Sequence, residues 1–221
     1  MGAPTLALIS TGLDLSVKIR DMAKERLPGA RIINIVDDSV VPTIEREGGT
    51  LTEAVRNRIV GYVRSAAESG ADAVLVTCSS ISEAVDAARA AVSIPVFKID
   101  EPMMVKALAR GERIGVLATL ATTLGPTVRL LERKAAELGK RVQVTAHLIE
   151  GAFQALSEGR GDEHDRRVRE AIRLLEPQCD AVILAQASMA RAVDGFEARV
   201  PVLTSLPLGL DEACKAVSTM K

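Results

Sequence analysis

Val76-Thr77-Cys78-Ser79-Ser80 sets one thiol among three hydroxyls where an apolar run gives way to helical spacing. A thiol can act as a nucleophile or carry a proton, and the hydroxyls and backbone N–H groups beside it can hold a carboxylate. At a strand-to-helix join the sulfur is expected close to the partial positive charge of a helix N-terminus, which favours thiolate over thiol. The plainer alternative is a buried structural cysteine followed by a serine helix cap.

A second copy of the stretch strengthens the chemical reading. Asp180-Ala181-Val182-Ile183-Leu184-Ala185-Gln186-Ala187-Ser188-Met189-Ala190 repeats Asp72-Ala73-Val74-Leu75-Val76-Thr77-Cys78-Ser79-Ser80-Ile81-Ser82. At the same offset Leu8-Ile9-Ser10-Thr11 falls on Val116-Leu117-Ala118-Thr119, and close to it Ile94-Pro95-Val96-Phe97 matches Val200-Pro201-Val202-Leu203. One α/β unit is used twice, and Gln186 occupies the place of Cys78 in the second copy.

The other candidates cluster at matching strand ends. Ser10, Thr11, Thr77, Ser79, Ser80, Thr119 and Thr122 are turn or cap residues in the plain reading, and anion-binding donors in the functional one. His147 lies near the carboxyl end of a strand and titrates in the range useful for proton transfer. His164 sits in Gly161-Asp162-Glu163-His164-Asp165, which reads as a solvated helix start. Asp37, Asp38 and Glu101 are strand-end acids of the kind that usually cap turns. Cys179 precedes a strand, at the wrong edge for chemistry, and Cys214 falls in the last helical pattern as core.

The positioning elements follow from periodicity. Strands are expected at 5–10, 31–36, 72–77, 94–99, 113–118, 142–148, around 180–185 and at 200–204. Helices are expected at 15–27, 51–69, 82–91, 103–109, 127–138, 162–175 and 210–217, with Asp162 as a possible cap. Residues 37–50 mix Asp, Pro and Gly-Gly and read as the longest irregular segment, a lid or a plain surface loop. Alternating strands and helices make an α/β fold of two similar parallel-sheet units, residues 1–99 plus 205–221 and residues 100–204. In such sheets ligands bind beyond the carboxyl ends of the strands. A pseudo-twofold between the units would bring Ser10, Thr11, Cys78, Thr119, Thr122 and Gln186 to one interdomain crevice.

Composition limits the partners. The 221 residues are 48% hydrophobic and carry 28 basic and 29 acidic side chains, a net charge of −1. With no basic patch interleaved with aromatics, nucleic acid and anionic membrane are not expected as partners. Three cysteines without a Cys-x-x-Cys or Cys/His cluster argue against a disulfide framework or a zinc site. The absence of a Gly-x-Gly-x-x-Gly or phosphate loop argues against a nucleotide cofactor. No apolar run reaches the length of a membrane span and no leader pattern opens the sequence, so a cytoplasmic location is expected, with a homo-oligomer as the default assembly. Aromatic residues make up 2%, which favours a small aliphatic acid or dicarboxylate over a large stacked ligand.

Taken together, these motifs resemble those of the aspartate/glutamate racemase superfamily, which includes hydantoin racemases, maleate cis-trans isomerases and arylmalonate decarboxylases. Thr77-Cys78-Ser79-Ser80 resembles the first cysteine motif, residues 114–122 the carboxylate-binding threonine turn, and residues 184–189 the second cysteine motif. The resemblance spans nearly the whole chain and implies two α/β units, an interdomain site and cofactor-independent chemistry on a small carboxylate. It also exposes departures. Gln186 stands where racemases carry a second thiol, and Ser10 and Ser188 stand where glutamate racemases carry an assisting Asp and His.

Racemisation by two bases needs one group on each face of the carbon. A lone Cys78 covers one face, which leaves three readings: a single-thiol isomerase or racemase-like enzyme, a lyase such as a decarboxylase, or a non-catalytic carboxylate binder. The thiol that arylmalonate decarboxylases retain matches the Gln186 position, so in the lyase reading Cys78 would act from the other side. The maleate isomerase resemblance implies a further route, thiolate addition to a double bond, rotation and departure.

Overall fold

In the computed structural model, which describes residues 3–220, the chain divides into two compact units. One comprises the chain up to Ile99 together with the segment from Leu206; the other is the continuous stretch Asp100–Ser205. The first begins β1 (Thr5–Ser10), α1 (Leu13–Arg26), β2 (Arg31–Val36), α2 (Val40–Arg46) and α3 (Glu53–Glu68). It continues with β3 (Ala73–Val76), a 3-10 turn (Ser79–Ile81), α4 (Ala84–Arg89) and β4 (Val96–Lys98). The second holds α5 (Glu101–Leu108), β5 (Arg113–Ala118), α6 (Ala121–Glu137), β6 (Gln143–Leu148), α7 (Ala152–Ser157) and α8 (Gly161–Leu175). After β7 (Ala181–Leu184), the 3-10 segment Ala187–Val193 and β8 (Val202–Thr204), helix α9 (Ser205–Ser218) closes the chain.

Each unit is built on a four-stranded parallel sheet, ordered β2-β1-β3-β4 in the first and β6-β5-β7-β8 in the second. The two central strands of each sheet are apolar through their middles because helices cover both faces. Every residue of β1, β3 and β7 is buried, and so is β5 beyond Arg113. The duplication extends to single bonds. The Thr5 N–H donates to Asp72 Oδ2 at 2.7 Å, and in the second unit the Arg113 N–H donates to Asp180 Oδ2 at 2.9 Å. Beyond the strand ends, Thr77 N–H bonds the Ile9 carbonyl and Ala185 N–H the Leu117 carbonyl, each at 2.9 Å. These paired bonds fix Cys78 and Gln186 at equivalent carboxyl-edge positions of their own sheets.

Five elements differ most from what the sequence suggests, among them α9, which starts at Ser205 and not at 210. Residues 37–50 are not one irregular loop: they contain α2, whose Pro42 lies in the first turn, where a missing N–H costs nothing. Helix α6 starts six residues before 127 and runs through Gly125-Pro126, giving up one i→i−4 bond in its second turn. The helix expected over 82–91 is shorter, and the 3-10 turn stands between it and Cys78. Helix α8 starts at Gly161 with Arg160 at the cap position, so Asp162 is a first-turn acid and not the cap.

Helix α9 belongs to the first unit through a close backbone approach. A Cβ at Gly209 would run into the carbonyl of Ile99, so only glycine lets the helix seat on the chain leaving β4.

Candidate functional site

In the first unit β3 delivers Cys78 to the sheet edge with an extended backbone, and the chain turns at once into Ser79–Ile81. The side chain is half-buried. Burial pushes the Cys78 thiol above the ordinary cysteine range, while hydrogen bonds from the Thr11 hydroxyl, the Ser80 N–H and hydroxyl and the Ile81 N–H pull in the opposite direction. The sulfur thus faces a nest of donors and still rests as a thiol. The thiolate expected from a helix terminus is not the resting form, because a single 3-10 turn replaces the helix at this point and desolvation dominates.

Ser10 and Thr77 lie beside this nest with their hydroxyls committed. Thr77 Oγ1 donates to the Ile9 carbonyl at 3.1 Å, so the 2.8 Å contact between the two hydroxyls has Ser10 as donor. They tie β1 to β3 and offer a ligand no further O–H proton. Ser79 is buried in the turn.

The second unit answers with a different arrangement. Gln186 Oε1 accepts from the Thr119 N–H at 2.6 Å, the Thr119 hydroxyl at 3.0 Å and the Leu120 N–H at 3.3 Å. Backbone N–H groups can only donate, so the atom facing them is the amide oxygen. Leu120 is the N-cap of α6 and supplies no side-chain cap of its own; Gln186 meets the helix terminus from 66 residues away. Thr122, in the first turn of the same helix, has a buried hydroxyl without a hydrogen-bond partner among the described residues.

The remaining candidates fall elsewhere. Asp37 accepts from Tyr62 at 2.5 Å, from Arg58 and from Ser39. Burial raises its pKa, but these donors outweigh burial and hold the carboxyl below the usual range, which makes it a poor base. His147 is half-buried on β6, at the edge of its sheet, in a groove formed with α8. His164 is not solvated: it is fully buried, with Nδ1 2.8 Å from Asp165 Oδ1, and Asp165 Oδ2 accepts from Arg191 Nε at 2.9 Å. Glu101 pairs with Lys134 at 2.5 Å. Cys179 and Cys214 are buried and their pKa values are raised by desolvation, that of Cys214 to about 11. No helix among the described residues is long and apolar enough to cross a membrane. Among the same residues no group of three His, Cys, Asp or Glu side chains is placed to hold a metal ion.

The fold has clear relatives among solved structures. A glutamate racemase from Bacillus anthracis superposes with a TM-score of 0.74 at 18% identity, covering 99% of this chain and 83% of its own. An aspartate racemase homologue from Pyrococcus horikoshii gives 0.73 at 15% identity, over 97% of this chain and 99% of that one. An allantoin racemase from Klebsiella pneumoniae gives 0.71 at 24% identity, over 99% and 87%. A search of curated protein sequences finds no match. The family model for Asp/Glu/hydantoin racemases matches residues 8–213, from within β1 to within α9. With two copies of the sheet, the paired strand-end turns and that match over nearly its full length, the chain belongs to the Asp/Glu/hydantoin racemase family.

Proposed function

We propose that the protein is a cofactor-independent isomerase acting on a small carboxylic acid through one thiol, Cys78. The observation that carries this reading is the donor nest around the sulfur. As thiolate, Cys78 takes the Cα proton, and the C–H electron pair passes into the substrate carboxylate to give an enediolate. Return of the proton from the thiol to the same face restores the acid; slower delivery of a solvent proton to the opposite face gives the enantiomer, and the thiol then gives up its own proton to solvent. The Thr11 and Ser80 hydroxyls bond the sulfur and Ser79 follows it directly in the chain, and donors of this kind favour the charge that builds on the enediolate. Ser10 and Thr77 hold the two strand ends in place.

Gln186 occupies the sequence position of the family's second thiol, and its amide is neither an acid nor a base near neutral pH. Exchange of the α-proton should therefore outpace inversion. In deuterium oxide, proton NMR should show label entering the α-position of a turned-over acid while chiral chromatography shows retained configuration. If racemisation keeps pace with exchange, another residue serves the second face, His147 first among them, and the single-thiol reading is wrong.

The raised pKa of Cys78 favours one alternative, a decarboxylase. There the bond to the departing CO2 leaves its electron pair as an enediolate, the resting thiol protonates the carbon, and solvent reprotonates the sulfur. A panel of amino acids, hydantoins, malonates and enoic diacids, assayed for optical change and CO2 release, separates the two. A binder without catalysis would show neither, and its Cys78 would be alkylated by a haloacid no faster than an ordinary thiol, without protection by ligands.

A further inference from the structure

Gln186 is held by one end only. Its oxygen takes all three donors of the turn at Thr119 and Leu120, while its Nε2 makes no hydrogen bond to any described residue and the side chain is half-buried. Two consequences follow from elementary geometry. The turn that could have received a ligand carboxylate is already filled by a protein oxygen. The carboxamide is also locked in one orientation, with its two N–H bonds directed away from the turn, because the oxygen and nitrogen lie on opposite sides of the same planar carbon.

We propose that Gln186 is an internal plug that converts this turn from an anion nest into an oriented neutral donor, so that the unit-2 edge receives a ligand carboxylate oxygen through Gln186 Nε2–H. Thr119 then acts from behind as a positioning residue and does not touch the ligand. Two observations support a ligand at this edge. Thr122, in the first turn of α6, is more than nine-tenths buried, and its Oγ1 has no hydrogen-bond partner among the described residues. The turn also already accommodates an oxygen acceptor, with one short bond of 2.6 Å from the Thr119 N–H, at the N-terminus of a 17-residue helix. The class of ligand follows: an N–H donor beside a helix N-terminus suits a carboxylate and rejects an ammonium group. The proposal rests on the small-carboxylate reading above but not on thiol chemistry, and it can be tested with the thiol removed.

The test uses full-length, 15N-labelled Cys78→Ala protein, in which no proton transfer by the thiol is possible. The Gln186 side-chain NH2 pair is assigned by its loss in Gln186→Glu, then followed while acetate, malonate or methylammonium is added. The expected result is a saturable shift of that pair with the two carboxylates and none with methylammonium. Gln186→Glu presents an acceptor where the donor was, while a carboxylate still fits the turn. It should therefore keep or raise the melting temperature and lose about tenfold or more in acetate affinity, the scale of one charge-assisted hydrogen bond. Three results would each overturn the proposal: a Gln186 pair unmoved by both carboxylates, an equal response to methylammonium, or undiminished acetate binding in Gln186→Glu. If carboxylates move the Gln186 pair but wild-type protein exchanges no α-proton and releases no CO2, the plug stands and the enzymatic reading falls.

Discussion

The two units place different atoms at equivalent points of their own sheets. In the first, the chain leaving β3 presents Cys78, a weak acceptor, and the Thr11 hydroxyl points at its sulfur. The N–H groups of Thr11 and Gly12 have no acceptor side chain among the described residues. In the second, Gln186 presents a strong acceptor and draws in both backbone N–H groups and the hydroxyl of the equivalent turn. A sulfur leaves its turn open; an amide oxygen closes it. A glutamine where the first unit has a cysteine thus gives the second turn no thiol and commits its donors to a protein oxygen. The duplicated fold has become asymmetric in chemistry while remaining symmetric in backbone.

The most severe way to break the comparison is Cys78→Ala. Turnover should drop by about 10²–10⁴-fold, the scale of a lost acid–base group, with little change in melting temperature, because the half-buried side chain is small. A large fall in stability that accounts for the lost activity would make Cys78 a packing residue instead. Restoring symmetry comes next. Gln186→Cys should raise racemisation relative to deuterium exchange, and should cost about 1–3 kcal/mol in urea unfolding as the turn loses its oxygen acceptor.

Smaller effects separate the two threonines. Thr11→Val removes a donor to the sulfur, so the pH midpoint of iodoacetamide alkylation should move up from its wild-type value. Thr119→Val should leave that midpoint unchanged and cost about 0.5–1.5 kcal/mol of stability, one of three bonds to Gln186. An upward shift from both variants would mean that the turns are not independent.

The slightest effect concerns alkaline unfolding. The folded-state pKa of Cys78 lies above that of a free thiol, about 8.5, so as the pH rises the unfolded chain releases its proton first. The stabilising contribution is complete below the unfolded pKa and is lost as pH climbs through the folded one. Denaturation at stepped pH should show a shallower alkaline decline in Cys78→Ala, whereas Gln186→Ala should keep the wild-type slope.

The strands were readable because the repeated Asp-Ala-Val run, set by burial on both faces, carries its own register from Asp72 to Asp180. Helix α2 was hidden by Pro42 and Gly48-Gly49, which look like breakers until the helix start places Pro42 in a turn that needs no donor. His164 looked solvated because its neighbours are charged; in the fold it is buried beside Asp165, which Arg191 reaches from 26 residues away, a contact that local pattern does not encode. Cys78, Thr119 and Gln186 could be picked out by repetition. The bond from Thr119 to Gln186 could not, since it joins residues 67 apart and depends on the strand register that brings β5 beside β7.

The division of the chain sets an order of assembly during synthesis. The second unit is one uninterrupted stretch, Asp100–Ser205, and has all its strands once β8 has emerged. The first unit is begun earlier but lacks α9, which seats on the chain at Ile99 and is made after the whole second unit. Domains that fold as units on a growing chain usually finish in N-to-C order. Here the order is inverted: the half bearing Gln186 can be complete while the half bearing Cys78 still waits for its final helix.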